Sequence, residues 1–306
     1  MARPAPDLVV STSRWPVVVL LLGACAIGFA PILIRLTETG SAAGGFWRMA
    51  FALPLLALPA LKEGRAGAAA AWKPGLLAGL LFALDLAAWH YGVAFTSVAN
   101  ATALSNTTPV VVTLAAWLLF GERPARAFVI ALVFALGGAF LMAAAKGSGG
   151  LGTNPPLGDV LAAVAAVFYG GYFVVIRLAR AHASTSQLMF WSSVAGAPVL
   201  LLMALLLGED LTPETWGGWA ACVGLGVMHA TGQGAIAWAL GRLPASLTSV
   251  TVLVQPVVAA GLGWQIFGEG VVPLQVLGAA VLLTGVVLAQ RSQRPKPAPP
   301  LDPVNA

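Results

Sequence analysis

Charge is scarce in this sequence, and the shortage argues against a soluble protein. Only 9% of the 306 residues are Asp, Glu, Lys or Arg, whereas 59% are hydrophobic. A soluble domain carries about 25% charged residues, so this chain has too little charge to cover a surface that faces water. The composition therefore predicts that most of the surface faces lipid.

Cysteine and histidine are also rare, which leaves little material for disulfides or metal sites. Cys25 and Cys222 lie within apolar runs, as buried packing residues do. No Cys/His spacing is typical of zinc, and no Walker-type Gly-rich sequence predicts ATP binding. The net charge of +5 comes from dispersed residues rather than a basic stretch. We therefore expect no cofactor, no metal and no nucleic-acid partner.

What the sequence does have is a series of apolar runs, each long enough to cross a bilayer as a helix. About 20 apolar residues are needed for one crossing, and the runs do not alternate as barrel strands do. The first begins at Trp15 and is too long for a signal peptide. Ten segments are predicted, at 15–36, 44–61, 74–95, 98–120, 127–145, 157–178, 187–207, 216–240, 245–267 and 272–290.

The positions of Lys and Arg predict how these segments are oriented, because cytoplasmic loops are enriched in basic residues. With ten segments and a cytoplasmic N-terminus, only Arg35 and Lys146 fall outside, and Arg48 falls within a segment. The cytoplasmic side then holds thirteen of the sixteen basic residues: Arg3, Arg14, Lys62, Arg65, Lys73, Arg123, Arg126, Arg177, Arg180, Arg242, Arg291, Arg294 and Lys296. We therefore expect both termini to be cytoplasmic.

The two halves of the chain repeat each other. Phe120-Gly121-Glu122 recurs 147 residues later as Phe267-Gly268-Glu269, and Pro109 recurs as Pro256. Ile34-Arg35-Leu36 recurs as Ile176-Arg177-Leu178 at an offset of 142 residues. Five segments per copy is an odd number, so the copies cross the membrane in opposite directions. Inverted repeats of this kind are typical of transporters that bind their substrate near the midplane.

These landmarks predict the organisation of the chain. The fold class is an all-α membrane protein of ten transmembrane helices in two inverted five-helix repeats. Residues 1–14 form a cytoplasmic tail, 15–145 the first repeat, 146–156 a linker, 157–290 the second repeat and 291–306 a disordered cytoplasmic tail.

One stretch of the first repeat resembles a known family. The residues from Tyr91 through Ala94-Phe95-Thr96-Ser97 to Pro109, closing on Phe120-Gly121-Glu122-Arg123, are similar to the EamA domain of the drug/metabolite transporter superfamily. Leu243-Pro244-Ala245-Ser246 and Phe46-Trp47-Arg48 extend the resemblance over nearly the whole chain. The resemblance implies a ten-helix bundle that exports amino acids or other small metabolites, without identifying the substrate.

Asp85 is the first candidate for a functional residue. It is the one acidic residue near the middle of an apolar segment, where a carboxylate is expensive and usually faces a cavity or a partner. Trp89 lies four residues further on and therefore shares its helical face. The alternatives are proton coupling, binding of a cationic group, or a hydrogen-bonded packing role.

Further polar and aromatic residues within the segments complete the set of cavity candidates. His229 and Gln233 are one turn apart in the eighth segment, the repeat partner of the third. His90 points away from Asp85, and Asn106 lies in the fourth segment shortly before Pro109. Tyr172 belongs to a deep aromatic group in the sixth segment. Interhelical hydrogen bonding and aromatic packing are the plainer interpretations of these five candidates. We assign no catalytic residue.

Three functional classes are compatible with a polytopic membrane protein. A secondary transporter for a small organic metabolite fits the inverted repeat and the polar centre, and an exporter is the first choice. An uptake permease or exchanger for a nucleobase, vitamin or similar solute is the alternative. An intramembrane enzyme lacks clustered nucleophiles, and a channel lacks rings of charge. The predicted partners are a small-molecule substrate and the lipid bilayer of a bacterial inner membrane; a homodimer is compatible with the sequence but not required by it.

The predicted topology is testable by cysteine accessibility. In a background without Cys25 and Cys222, single cysteines are placed between Gly208 and Pro213 and in the tail after Gln290. A membrane-impermeant maleimide applied to intact cells is expected to label only the first position. Labelling of both positions from the same side would contradict ten spans.

Overall fold

The computed structural model describes residues 14–145 and 153–292. The predicted N-terminal tail, apart from Arg14, most of the 146–156 linker and the C-terminal tail beyond Ser292 lie outside the described residues. Within them all regular structure is helical, in fourteen α-helices and one π-helical turn. The helices are α1 (Trp15–Ile27), α2 (Ala30–Leu36), α3 (Ser41–Lys62), α4 (Gly64–Phe95), α5 (Val98–Ser105), α6 (Thr108–Phe120), α7 (Arg126–Ala145), α8 (Pro155–Ala179), α9 (Thr185–Leu206), α10 (Trp216–Met228), α11 (Gly234–Leu240), α12 (Ala245–Val252), α13 (Gln255–Phe267) and α14 (Pro273–Ser292), with the π-turn His229–Gln233 between α10 and α11.

These elements build the ten predicted spans. Nine helical stretches of the described chain are long and apolar enough to cross a membrane. The remaining span, the eighth in chain order, runs from α10 through the π-turn to α11, so the turn divides it into pieces of 13, 5 and 7 residues. α1 and α2 together, α5 with α6, and α12 with α13 form one span each.

Two predicted boundaries differ from the structure. The joint expected at Lys62–Lys73 is mostly helical, because α4 begins at Gly64 rather than at residue 74. The stretch is rich in alanine, the strongest helix former, and the helix continues past the apolar segment. The first span, expected to be continuous, is interrupted at Gly28 and Phe29.

The repeat is preserved in the positions of the helices. α5, α6 and α7 recur as α12, α13 and α14, with every boundary displaced by 147 residues. Pro109 and Pro256 stand in the first turn of α6 and α13, where a missing backbone N–H is tolerated. Both of these helices end on a glycine in the left-handed conformation, Gly121 at φ 69° and Gly268 at φ 65°.

The contact between α7 and α14 shows that the repeats are inverted. A Cβ on Gly138 would lie 2.2 Å from the backbone nitrogen of Leu282, and one on Gly285 would lie 2.3 Å from that of Ala135. Gly138 and Gly285 are equivalent residues of the two repeats, as are Ala135 and Leu282. Exchanging the two repeats converts each of these contacts into the other. From Ala135 to Gly138 the residue numbers of α7 rise, whereas those of their partners in α14 fall from Gly285 to Leu282. The two helices are therefore antiparallel and related by a two-fold axis.

The two repeats also interlock at their centre. α4 packs against α8 and α9, and α3 packs against α9 and α10. The helices approach each other closely at Gly79 of α4, where a Cβ would lie 2.1 Å from the carbonyl oxygen of Ser192. Side chains on the inner faces of α3 and α4 therefore meet the second repeat rather than lipid.

One end of the bundle, where α2 joins α3, is tied together by polar contacts. The Glu209 carboxylate accepts from the backbone nitrogen of Ala43 at 2.9 Å, and the Trp47 indole donates to the Leu211 carbonyl at 2.7 Å. The Glu38 carboxylate accepts from the Thr215 hydroxyl at 2.7 Å, and this hydrogen bond lowers the pKa of Glu38. We call this the α2–α3 end and the opposite one the α3–α4 end.

The α7–α14 packing predicts unequal effects for two adjacent glycines. Gly138→Ala is expected to destabilise the protein by about 1–3 kcal/mol, because the new methyl group meets backbone atoms that cannot move aside. Gly137 has open space within 4 Å of the place where a Cβ would lie, so Gly137→Ala is the matched control and is expected to be neutral or stabilising by up to about 1 kcal/mol. Thermal unfolding in detergent measures both, and equal melting temperatures would contradict the packing.

Candidate functional site

Phe82 of α4 is the centre of a buried cluster where the repeats meet. Its ring lies 5.4 Å from the Tyr172 ring and 5.6 Å from the His229 ring, between centroids. The Arg48 guanidinium carbon lies 5.1 Å from the centroid of the same ring, within the range of a cation–π interaction. Four helical elements, α3, α4, α8 and the π-turn, therefore bring their side chains to one place.

Arg48 is the buried cation of this cluster. Its side chain comes from the α2–α3 end of α3 and is only 6% exposed. Its Nε atom donates to Nδ1 of His229 at 3.2 Å. Because Nδ1 accepts, the neutral imidazole carries its proton on Nε2. The arginine therefore fixes both the orientation and the tautomer of His229.

The π-turn places His229 and Gln233 on the inner side of the eighth span. A π-turn widens the helix by one residue and is common at functional sites. Gln233 is fully buried, and its amide lies beside the hydroxyl groups of Tyr169 and Tyr172 without a hydrogen bond of normal geometry. The Tyr172 hydroxyl itself donates to the sulfur of Met189 at 3.6 Å.

Asp85 lies one turn beyond Phe82 on α4 and is partly buried. Its charge and that of Arg48 are close enough to interact. Among the described residues, however, no ion pair within 4 Å joins them. A carboxylate and a guanidinium thus share the cluster without neutralising each other by direct contact.

Among the residues that the structure describes, several polar atoms of the cluster have no hydrogen-bond partner. They are Nη2 of Arg48, Nε2 of His229 and both amide atoms of Gln233. Buried polar groups are almost always paired, since an unpaired one costs about 1–3 kcal/mol. Such a concentration around one ring, in a membrane interior, is what a site for a polar ligand requires.

The structure gathers four of the seven residues predicted from the sequence. Asp85, Tyr172, His229 and Gln233 lie in or beside the cluster. Trp89 and His90 lie further along α4, with their rings 5.2 Å apart. Asn106 caps the C-terminus of α5, at the break before Pro109.

Three cluster residues were not among the predicted site residues. Arg48 stands close to the end of its span, where the sequence pattern fits a side chain reaching the interface; only the packing of α3 against the second repeat buries it. Phe82 has no feature in the sequence that separates it from ordinary apolar packing. Tyr169 stacks on Tyr172 at 5.9 Å and belongs to the same wall. The sequence could have identified Tyr169, because it lies three residues before Tyr172 and therefore on the same helical face.

An apolar cavity of about 590 Å³, open toward the outside of the bundle, meets the cluster at Met189 on the side of the α3–α4 end. α1, α3, α9 and the π-turn region line it, and six of the lining residues are Trp15, Leu55, Leu56, Pro59, Met189 and Trp238. Met189 bridges the two regions, because its sulfur accepts from Tyr172. The volume is typical of small-molecule sites.

The chemistry of the cluster favours binding over catalysis. Within residues 14–145 and 153–292, no three His, Cys, Asp or Glu side chains come together as metal ligands. The cluster offers N–H donors, an aromatic wall and one carboxylate. Such groups can bind and orient a solute.

Comparison with known proteins agrees with this architecture. The EamA-like transporter family matches twice, at residues 14–144 and 156–290. The pseudopaline exporter CntI of Pseudomonas aeruginosa is 26% identical over 220 residues, which cover 72% of this chain and 75% of the exporter. An uncharacterized transporter of Archaeoglobus fulgidus is 26% identical over 209 residues, covering 68% and 73% of the two chains.

A solved crystal structure shares the fold. It is 18% identical and superposes with a TM-score of 0.76 over 92% of this chain and 100% of the other. The sequence-based predictions of an all-α, ten-span inverted repeat and of a transporter rather than an enzyme are confirmed. The chain is a multi-pass membrane transporter that belongs to the EamA-like transporter family.

Proposed function

We propose that this protein is a secondary transporter that exports a small organic metabolite by alternating access. It resides in a bacterial inner membrane with both termini cytoplasmic, as the distribution of basic residues favours. Residues 15–145 and 157–290 act as the two mobile halves, joined by the 146–156 linker. The substrate-binding and coupling residues are Asp85, Tyr172, His229 and Gln233, joined by Arg48, Phe82 and Tyr169.

The observation that carries this proposal is the buried polar cluster at the seam of the two repeats. Its residues come from both halves: Arg48, Phe82 and Asp85 from the first, and Tyr172, His229 and Gln233 from the second. A solute bound there touches both halves at once. Relative motion of the halves then changes which side of the membrane the site faces, as alternating access requires.

The direction of transport is supported by a relative rather than by geometry. The Pseudomonas aeruginosa protein is named an exporter, and this chain shares 26% identity with it over most of its length. The same cluster would equally serve an uptake permease or an exchanger. Transport assays in inside-out and right-side-out vesicles distinguish these alternatives.

Asp85 is the proposed coupling group. It stands within a span where insertion of a carboxylate costs about 2.5–3.5 kcal/mol, and leucine would fill the same space without that cost. It lies near Arg48 without an ion pair. A carboxyl group placed in this way can bind a proton in one state of the transporter and release it in another.

Asp85→Asn separates the possible roles in liposomes that contain the purified transporter and a panel of candidate metabolites. If Asp85 couples transport to protons, the variant is expected to bind and exchange substrate but to lose pH-driven accumulation entirely. If Asp85 holds a cationic group of the substrate, binding is expected to weaken about tenfold or more at every pH.

Asp210→Asn is the matched control, because Asp210 carries the same charge in an exposed loop. It is expected to transport like the parent protein. If Asp85→Asn also transported normally at normal membrane expression, Asp85 would be a packing residue and both roles would be excluded. Failure of the parent protein to move any solute of the panel would count against the transport proposal itself.

A further inference from the structure

We infer that the cluster selects a solute that carries a carboxylate group attached to an apolar body. This inference rests on the proposed function, since it names the substrate class of the same site. Its first support is the character of the unpartnered atoms. Nη2 of Arg48 and Nε2 of His229 are N–H donors, and both residues are more than nine-tenths buried.

These donors suit an anionic oxygen ligand. A guanidinium presents parallel N–H groups that match the two oxygens of a carboxylate. Its Nε is already engaged by His229, so Nη2 remains for the ligand, and the Nε2–H on the other side of the imidazole ring is a second donor. Gln233 adds an amide donor from the next turn. A bound carboxylate would therefore pair with a buried donor that is otherwise unpartnered.

The apolar cavity provides the place for the rest of the molecule. Met189 connects it to the cluster, because this residue lines the cavity and its sulfur accepts from the Tyr172 hydroxyl. Its lining is dominated by aliphatic and aromatic side chains, including Leu56 and Trp238. The body of the solute is therefore of aliphatic or aromatic character and larger than a methyl group.

Three ligands of similar shape test the preferred headgroup. Phenylacetate, phenylacetamide and phenethylamine carry the same aromatic body with an anionic, neutral or cationic end. Binding to the purified full-length protein is measured by calorimetry at neutral pH. Phenylacetate is expected to bind at least about tenfold more tightly than the other two. Equal affinity of all three, or no binding of phenylacetate, would overturn the inference.

Arg48→Gln is expected to abolish the preference for phenylacetate, and Arg123→Gln, which removes a charge from an exposed loop, is the control expected to retain it. If Arg48→Gln does not fold, Arg48→Lys replaces it, and this variant is expected to lower the preference for phenylacetate by about fivefold or more. A preference that survives either Arg48 variant would contradict the assignment.

Thr231→Trp tests the apolar part, because Thr231 lines the cavity and is exposed. It is expected to weaken phenylacetate binding while acetate, which lacks the aromatic body, is unaffected. Unchanged phenylacetate binding would mean that lipid rather than solute occupies the cavity. The liposome assays on Asp85 judge transport separately from all these binding measurements.

A second, independent observation concerns two Arg–Glu pairs that the repeat relates to each other. At the α2–α3 end, Arg35 forms an ion pair with Glu269, and its guanidinium carbon lies 4.2 Å from the Phe267 ring centroid. The equivalent residues of the other repeat are Arg177 and Glu122, at the α3–α4 end. Because the repeats are inverted, the two pairs lie on opposite sides of the membrane.

The two pairs are in different states. Arg177 donates to the Leu240 carbonyl at 3.2 Å and, within the described residues, forms no ion pair with Glu122 within 4 Å. The two charges are nonetheless neighbours: burial raises the pKa of Glu122, and Arg177 opposes this rise. One pair is therefore closed while its equivalent is open.

From this asymmetry we propose that the two pairs are alternating latches. In alternating access one repeat rocks or gates against the other around the site, so a change of state alters the surroundings of the two equivalent pairs in opposite ways. The Arg35–Glu269 pair then opens at the α2–α3 end as the Arg177–Glu122 pair closes at the α3–α4 end. The present structure, with its first pair formed, is the state closed at the α2–α3 end.

Two equivalent pairs of spin labels measure the exchange. Leu36 and Gly270 flank the first latch, Leu178 and Arg123 flank the second, and all four residues are exposed. Each pair is labelled through introduced cysteines in the full-length protein without Cys25 and Cys222, in liposomes. Glu269→Gln is expected to lengthen the 36–270 distance and shorten the 123–178 distance, while Glu122→Gln is expected to do the reverse.

The expected change in the ratio of the two states is about two- to fivefold, because exposed ion pairs are weak. Glu214→Gln removes a loop charge at the α2–α3 end and is the control, with no expected shift. Shifts of both distances in the same direction, or none, would overturn the proposal. If Glu269→Gln misfolds, the charge swap Arg35→Glu with Glu269→Arg replaces it and is expected to match the parent distances.

Discussion

The membrane interior contains no water, so backbone N–H and C=O groups there form hydrogen bonds within the protein, and this constraint governs the structure. Each unpaired N–H or C=O group in hydrocarbon costs several kcal/mol, so helices are the available solution for a chain without barrel periodicity. Two of the breaks are covered by neighbouring helices. The π-turn at His229–Gln233 and the interruption before Pro109 both lie within packed regions of the bundle.

The same constraint makes unpartnered polar side chains informative. In water, the free atoms of Arg48, His229 and Gln233 would be solvated and would mean little. Between helices of a membrane protein they represent a cost that packing does not offset. The cluster and the adjacent apolar cavity together resemble a ligand site with a polar end and an apolar end, placed where both repeats contribute.

The two-fold symmetry of the repeats relates this site to the movement proposed for transport. The α7–α14 contact is close to symmetric, with Gly138 and Gly285 in equivalent surroundings, so it suits an axis that persists through the transport cycle. The Arg–Glu pairs depart from symmetry, with Arg35–Glu269 joined and Arg177–Glu122 apart. In the proposed transport cycle, these departures distinguish the two states that the fold exchanges.

The sequence by itself determined the span count, the inverted repeat and the family, because hydrophobic length and the recurrence of Phe-Gly-Glu are local properties of the chain. It also placed Asp85, His229 and Gln233 at suitable depth. It could not show that Arg48, near the end of its span, turns inward, nor that Trp89 and His90 pack on each other. Only the tertiary structure decided these points, because the direction of a side chain within a bundle depends on which neighbouring helix covers its face.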